Sequence, residues 1–140
     1  TPMRARHAAL IAALPMILTA ACLPSGLPEP SGREDFADYC AACHGIDGSG
    51  QGAVASVLDA PPDDLTMLAE ANDGTFPKAR VMSKIWGYAQ MKDDGSGVMP
   101  KFSELLQGDR VVLYDSGDGI ATPTPIRLVQ LAEYLEKLQK

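Results

Sequence analysis

The amino-acid sequence predicts a small, mainly helical domain that follows an apolar leader. Its 140 residues leave room for one domain. Apolar residues recur at helical spacing in several segments, and the clearest stripe is Leu128, Leu131, Leu135 and Leu138. The segment 111–114 is compatible with a short strand. The element pattern is therefore dominated by helices.

The first part of the chain has the pattern of an export signal. Arg4, Arg6 and His7 form a basic region, and residues 8–21 form a nearly uncharged apolar stretch that ends in small residues. The stretch is shorter than the ~20 residues that cross a bilayer, and Pro15 interrupts it. We expect cleavage in preference to a retained membrane helix.

Cys22 closes this stretch and gives it a second interpretation. The sequence from Leu18 to Cys22, LTAAC, resembles a bacterial lipoprotein cleavage box, in which the cysteine becomes the lipidated first residue, although that pattern prefers leucine where Thr19 stands. Ordinary cleavage after Ala20 or Ala21 is the alternative. Proline, serine and glycine then predict a semi-extended tether. The expected organisation is a leader over 1–22, a tether over 23–31 and a domain over 32–140.

Four helices are predicted in this domain. The first covers 32–43 and leads into a glycine-rich loop at 45–52. The second covers 65–72 and is capped by Asp63 or Asp64. The third covers 78–88, with an apolar side formed by Val81, Met82, Ile85 and Trp86.

The last helix follows the candidate strand at 111–114 and a turn at 115–119, so a short β-hairpin is an option before it. Thr124 is the predicted N-cap, with Pro125 at the first helical position. The leucine stripe of this helix predicts one buried face.

Cys40, Cys43 and His44 form the strongest motif. Two thiols three positions apart, followed directly by histidine, are typical of one covalently attached haem (heme c). Each thiol adds to a vinyl group of the porphyrin, and a neutral imidazole nitrogen binds the iron. A zinc site needs two more ligands, and the only other cysteine and histidine, Cys22 and His7, are in the leader. A redox C-x-x-C usually lies at a strand-to-helix junction, which is not predicted here.

The second axial position of the iron is expected to hold a methionine. The predicted domain contains Met67, Met82, Met91 and Met99. The first two lie on apolar helical faces, which favours a core role. Met99 follows a glycine-bearing loop, and Pro100 fixes the backbone just beyond it. We therefore expect His44 and Met99 to be the metal ligands, with Met91 as the alternative and no catalytic residue.

The charge of the chain indicates the kind of partner it meets. The formal net charge is −6 at pH 7, and it becomes more negative once Arg4 and Arg6 leave with the leader. Such a negative net charge disfavours binding to nucleic acid and favours binding to a protein with a basic docking patch. A solvated acidic surface without a docking role is the alternative.

Several of these features together resemble the small class I cytochromes c. They are Gly32 with Phe36, Cys40–Gly45, Asp47–Gly50, Met99–Pro100 with Phe102, and Leu131 with Tyr134–Leu135. The segment 61–77 is similar to membrane-associated bacterial members. The resemblance covers the chain from about Gly32 to its end, and the stretch 111–123 is longer than in the smallest members.

The resemblance implies an all-α fold in which the first and last helices cross near-perpendicularly around a covalent haem. Gly32 or Phe36 then meets Leu131 and Tyr134. It also implies axial ligation by His44 and Met99, with a proline carbonyl, that of Pro61 or Pro62, orienting the imidazole.

The function implied is one-electron transfer without a small-molecule substrate and without enzymatic activity of its own. The expected place is the periplasm, with attachment to the membrane through a lipid or a retained N-terminal segment. The expected partners are membrane respiratory complexes such as cytochrome bc1 or a terminal oxidase. A fixed electron-transfer subunit of an oxidase or dehydrogenase, and a gas-binding haem module, are the alternatives.

Overall fold

The computed structural model describes residues 28–88 and 99–140. This part of the chain contains five helices and one two-stranded antiparallel sheet. In chain order the elements are α1 (Gly32–Tyr39), α2 (Ala41–His44), α3 (Lys78–Trp86), α4 (Ser103–Leu106), β1 (Val111–Asp115), β2 (Ala121–Pro125) and α5 (Ile126–Lys137). Short 3₁₀ turns lie at Ala55–Val57, Leu65–Met67 and Glu70–Asn72. No described helix combines the length and apolarity that a membrane crossing requires. The leader and most of the tether lie outside the described residues, so the domain boundaries stay predictions.

α1 begins at a complete capping box. The Ser31 hydroxyl accepts a hydrogen bond from the Glu34 N–H at 3.3 Å, and the Glu34 carboxylate accepts one from the Ser31 N–H at 2.8 Å. The predicted helix over 32–43 is in fact two helices, because Cys40, between α1 and α2, has a φ of −115°, which departs from the helical value. The Cys40 N–H still donates to the Phe36 carbonyl at 2.9 Å, which keeps α2 attached to the end of α1.

The first and last helices pack against each other, as the family resemblance implies. Gly32 lies so close to α5 that a Cβ there would overlap the backbone carbonyl of Gln130. One turn later Phe36 is fully buried, and its ring centroid lies 5.3 Å from that of Tyr134. The arrangement of these helices around a haem stays a prediction.

The core is apolar, and most of its buried side chains come from α3 and α5. Val81, Met82 and Ile85 of α3 face the leucine stripe of α5, and Leu106 of α4 is fully buried beside them. α3 ends at Trp86, two residues earlier than predicted, because Gly87 adopts φ +112° and stops the helix. The predicted apolar sides of both helices are confirmed.

An ion pair between α1 and α5 is buried beside this core. Arg127 donates to both carboxylate oxygens of Asp35, at 2.9 and 2.7 Å, and only 2% of the Asp35 side chain is exposed. Asp109 lies 3.8 Å from the same guanidinium group. The bonds to Asp35 raise the pKa of Arg127 above its ordinary value. Two segments far apart in sequence are thereby fixed in register.

The segment before α5 forms the β-hairpin. β1 and β2 pair with Val112 opposite Thr124 and Tyr114 opposite Thr122. The predicted N-cap is wrong, because Thr124 belongs to β2 and the cap position is Pro125. Because Thr124 pairs with Val112, the strand continues past the position where the helix was expected to begin. The helix begins at Ile126, whose N–H donates to the Arg110 carbonyl at 2.8 Å.

The helix predicted over 65–72 is also different in the structure. It consists of two 3₁₀ turns, and Asp64, one of the two expected caps, accepts from the Thr66 N–H at 2.9 Å. The left-handed residue Asp73, at φ 54°, ends the segment. Short tight turns hold this stretch against the end of α5, where Gln139 donates to the Leu65 carbonyl at 2.7 Å.

Candidate haem-binding site

α2 carries the two thiols and the imidazole of the motif. Cys40 immediately precedes this helix, and Cys43 and His44 are its last two residues. The N–H groups of Cys43 and His44 both donate to the Cys40 carbonyl, at 3.2 and 2.9 Å, so the three residues occupy a single helical turn. Both cysteines are half-buried. This is the spacing that attachment to two vinyl groups needs.

The glycine-rich loop caps the C-terminal end of α2. Backbone N–H groups of Gly45, Val54, Gly52 and Gly50 donate to the carbonyls of residues 41, 42, 43 and 44, at distances between 2.7 and 3.0 Å. A helix leaves its last four carbonyls without intrahelical partners, and here the loop supplies one for each. The loop and Val54, just after it, are therefore hydrogen-bonded to the end of the motif helix. Its passage along a porphyrin edge stays a prediction.

A backbone carbonyl orients the imidazole, but it is not the one expected. His44 Nδ1 lies 3.1 Å from the carbonyl oxygen of Asp63. The expectation that Pro61 or Pro62 supplies this carbonyl is wrong. The Pro62 carbonyl instead faces the loop, where a Cβ on Gly50 would lie 2.5 Å from it. With Nδ1 donating to Asp63, the lone pair of Nε2 is left for a metal.

The chemistry of the thiols disfavours the other interpretations of the motif. Burial raises the pKa of Cys40 to about 12, whereas the attacking thiol of a redox C-x-x-C has a lowered pKa. α1, and not a strand, precedes the motif. Within residues 28–88 and 99–140, no group of three or more histidine, cysteine or acidic side chains could hold a metal ion. The position and burial of Cys40 therefore disfavour a redox dithiol.

Half-buried apolar side chains next to the core could cover an apolar group. They include Leu65, Leu68, Phe76, Trp86, Met99 and Phe102. Met99, the predicted sulfur ligand, is thus half-buried and in contact with the core, while Met82 is buried within it, as expected. Met67 is half-buried at the end of a 3₁₀ turn. Met91, the alternative ligand, lies outside the described residues.

Comparison with known families decides between these possibilities. Residues 31–109, more than half of the chain, match the family model described as Cytochrome c. The chain belongs to the cytochrome c family. No curated protein and no solved structure matches it significantly. Membership implies a haem cofactor and haem-based electron transfer, and the β-hairpin and α5 of this cytochrome c lie beyond the matched residues.

The residues of the site fit a haem. Cys40 and Cys43 would hold it covalently, His44 would bind the iron through Nε2, and the half-buried apolar side chains would shield it from water. These assignments, together with Met99 as second ligand and a count of one haem, stay predictions. Sequence reasoning missed the role of Asp63, since a backbone carbonyl leaves no signal in the identity of its side chain.

Proposed function

We propose that this cytochrome c is a bacterial class I electron carrier, which moves single electrons between membrane-bound respiratory complexes in the periplasm. The observation that carries the proposal is the orientation of His44 by the Asp63 carbonyl at 3.1 Å, on the same helical turn as Cys40 and Cys43. A fixed imidazole keeps its geometry when the charge on a bound iron changes, which favours rapid electron transfer.

Met99 completes the proposed pair of axial ligands. When bound, the haem supplies an iron that takes up and releases one electron, and a thioether ligand raises its potential. The half-buried position of Met99 beside the core supports this role, since a ligand shielded from water is not readily displaced. Trp86 and Phe102 extend the apolar cover.

Substitution of the methionine tests the proposal. Met99→Ala should retain covalent haem, lower the reduction potential and abolish the thioether-to-iron band of the oxidised spectrum. Met67→Ala is the matched control, because Met67 is also half-buried but lies in the turn Leu65–Met67, and it should keep both properties. An unchanged potential in Met99→Ala contradicts the assignment and moves it to Met91. Rapid CO binding by the reduced, unsubstituted protein would instead identify a gas-binding module.

The proposed location is the periplasmic face of a membrane, with attachment through lipidated Cys22 or a retained N-terminal segment. The proposed partners are cytochrome bc1 or a terminal oxidase that present basic surfaces, in keeping with the net charge of −6. Electron transfer to such a partner should slow as salt is added, because screening weakens the attraction between opposite charges. Recovery in fixed stoichiometry with a large oxidase or dehydrogenase would instead identify a permanent subunit.

A further inference from the structure

The outward side of the β-hairpin carries apolar residues on both strands. In the observed register the outward positions are Val111, Leu113 and Asp115 on β1 and Ala121, Pro123 and Pro125 on β2. We call the four exposed apolar residues among them the outer hairpin face: Val111, Leu113, Ala121 and Pro123. Val111 is 55% exposed and Leu113 is 74% exposed. Ile120, in the turn that precedes β2, is exposed as well.

The fold does not account for this apolar surface. A hairpin that covers a core normally places apolar residues inward and polar residues outward. Here Val112 and Tyr114 pack against the core, but their partners on the inner side are Thr124 and Thr122. Among the outer positions only Asp115, at the turn end of β1, carries a polar side chain, and the others present apolar groups, although isolated exposed apolar residues need no explanation. Their alignment on paired strands indicates a surface that meets another apolar phase.

The position of the N-terminal segment indicates that this apolar phase is a lipid membrane. Arg110, directly before β1, donates to both carboxylate oxygens of Glu29, at 3.3 and 2.9 Å. The chain that leads back to the apolar stretch 8–21 therefore passes the base of the hairpin. Cys22 is seven residues before Glu29, which corresponds to about 25 Å of fully extended chain. A membrane-attached leader thus keeps the hairpin near the lipid surface.

We propose that the outer hairpin face rests on the lipid bilayer and gives the tethered domain one preferred orientation. The inference depends on the membrane attachment put forward above. Val111 and Leu113 enter the interfacial layer, while the strands stay parallel to the surface. The domain then presents a constant side to partners embedded in the same membrane, so that fewer encounters are unproductive.

The charges around the face predict which lipids it prefers. Asp115 and Asp118 are exposed at the hairpin turn, and hydrogen bonds from the N–H groups of Gly117 and Gly119 lower the pKa of Asp115. Arg110, the cation at the hairpin base, is already paired with Glu29, so the acidic side chains at the turn dominate the charge beside the face. Contact with phosphatidylcholine should therefore exceed contact with phosphatidylglycerol.

Photolabelling of the full-length, haem-loaded protein tests the inference. The protein is mixed with phosphatidylcholine vesicles that contain a diazirine-bearing phosphatidylcholine, floated, irradiated and digested, and the lipid adducts are mapped by mass spectrometry. Adducts should concentrate on the peptide that contains Leu113 and be lost in Leu113→Asp. Val57→Asp is the matched control, since Val57 is 79% exposed outside the hairpin, and it should leave the adducts unchanged.

The possible failures can be told apart. If the protein floats with the vesicles but carries no lipid adducts on the hairpin, the inference is overturned and membrane attachment stands. The outer hairpin face is then left to a protein partner. Adducts that persist in Leu113→Asp overturn it as well, as does an equal yield with phosphatidylglycerol vesicles. Protein that does not float contradicts the proposed attachment and removes the inference with it.

Discussion

Gly50 links the loop after the haem motif to the carbonyl that orients His44. Its φ is +82°, and a Cβ there would lie 2.5 Å from the Pro62 carbonyl oxygen and 3.2 Å from that of Asp63. Alanine at this position must therefore adopt a left-handed conformation and also displace the segment 62–63. Because the Asp63 carbonyl accepts from His44, this displacement reaches the imidazole.

The expected cost has two parts. The left-handed backbone costs an alanine roughly 1–2 kcal/mol, and the clash with backbone atoms that cannot rotate away adds about 1–3 kcal/mol. Gly74→Ala isolates the first part, because Gly74 has φ +79° and a Cβ there would meet nothing within 4 Å. Gly50→Ala should thus lower the free energy of unfolding by about 1–3 kcal/mol more than Gly74→Ala.

Denaturant unfolding of the haem-loaded variants measures this difference. A second readout is the reduction potential, which should rise in Gly50→Ala, because a weaker bond to the Asp63 carbonyl makes the imidazole a poorer electron donor to iron. Gly74→Ala should leave the potential unchanged. Equal unfolding free energies for the two variants would refute the close packing of the loop on the segment 62–63.

Three further substitutions probe the described contacts. Arg127→Met should lower the free energy of unfolding by about 3–5 kcal/mol, because it leaves the Asp35 carboxylate buried without a cation. The double variant that also carries Asp35→Leu should regain part of that loss. If Arg127→Met costs no more than a substitution at an exposed surface position, the stabilising role of the ion pair is contradicted. Ser31→Ala should cost about 1 kcal/mol by removing the N-cap of α1, and no change in thermal unfolding counts against the cap. Hydrogen bonds from Thr66 lower the pKa of Asp64 from its ordinary 3.8, so this carboxylate stabilises the fold above that pH and loses its contribution as the pH falls through the folded pKa. Asp64→Asn should accordingly be less stable than the unsubstituted protein at pH 7, and the difference should narrow below about pH 4 in acid titrations; a difference constant with pH would contradict it.

Patterns that are local and repeated allowed the best predictions. The stripes of α3 and α5 follow from 3.6-residue spacing, because each such helix must bury its apolar side. The cap at Asp64 was among those expected, since a carboxylate at that position satisfies a free N–H group. The motif at Cys40–His44 predicted a helical turn because its chemistry requires one.

Features set by distant parts of the chain escaped prediction. Thr124 and Pro125 look locally like a helix start, but pairing with β1 keeps the threonine in a strand. Asp35 and Arg127 are 92 residues apart in sequence, and the local sequence around each is typical of an exposed charged residue. The carbonyl that meets His44 belongs to Asp63 because Pro62 is packed against the loop, and this packing has no signature in the local sequence.

The intact mass of the purified protein, after coexpression with haem-attachment machinery, tests the central claim most directly. The account predicts the mass of the polypeptide plus one haem, retained after denaturation because thioether bonds from Cys40 and Cys43 hold it. A colourless polypeptide of unmodified mass, or a haem that separates on denaturation, would contradict it.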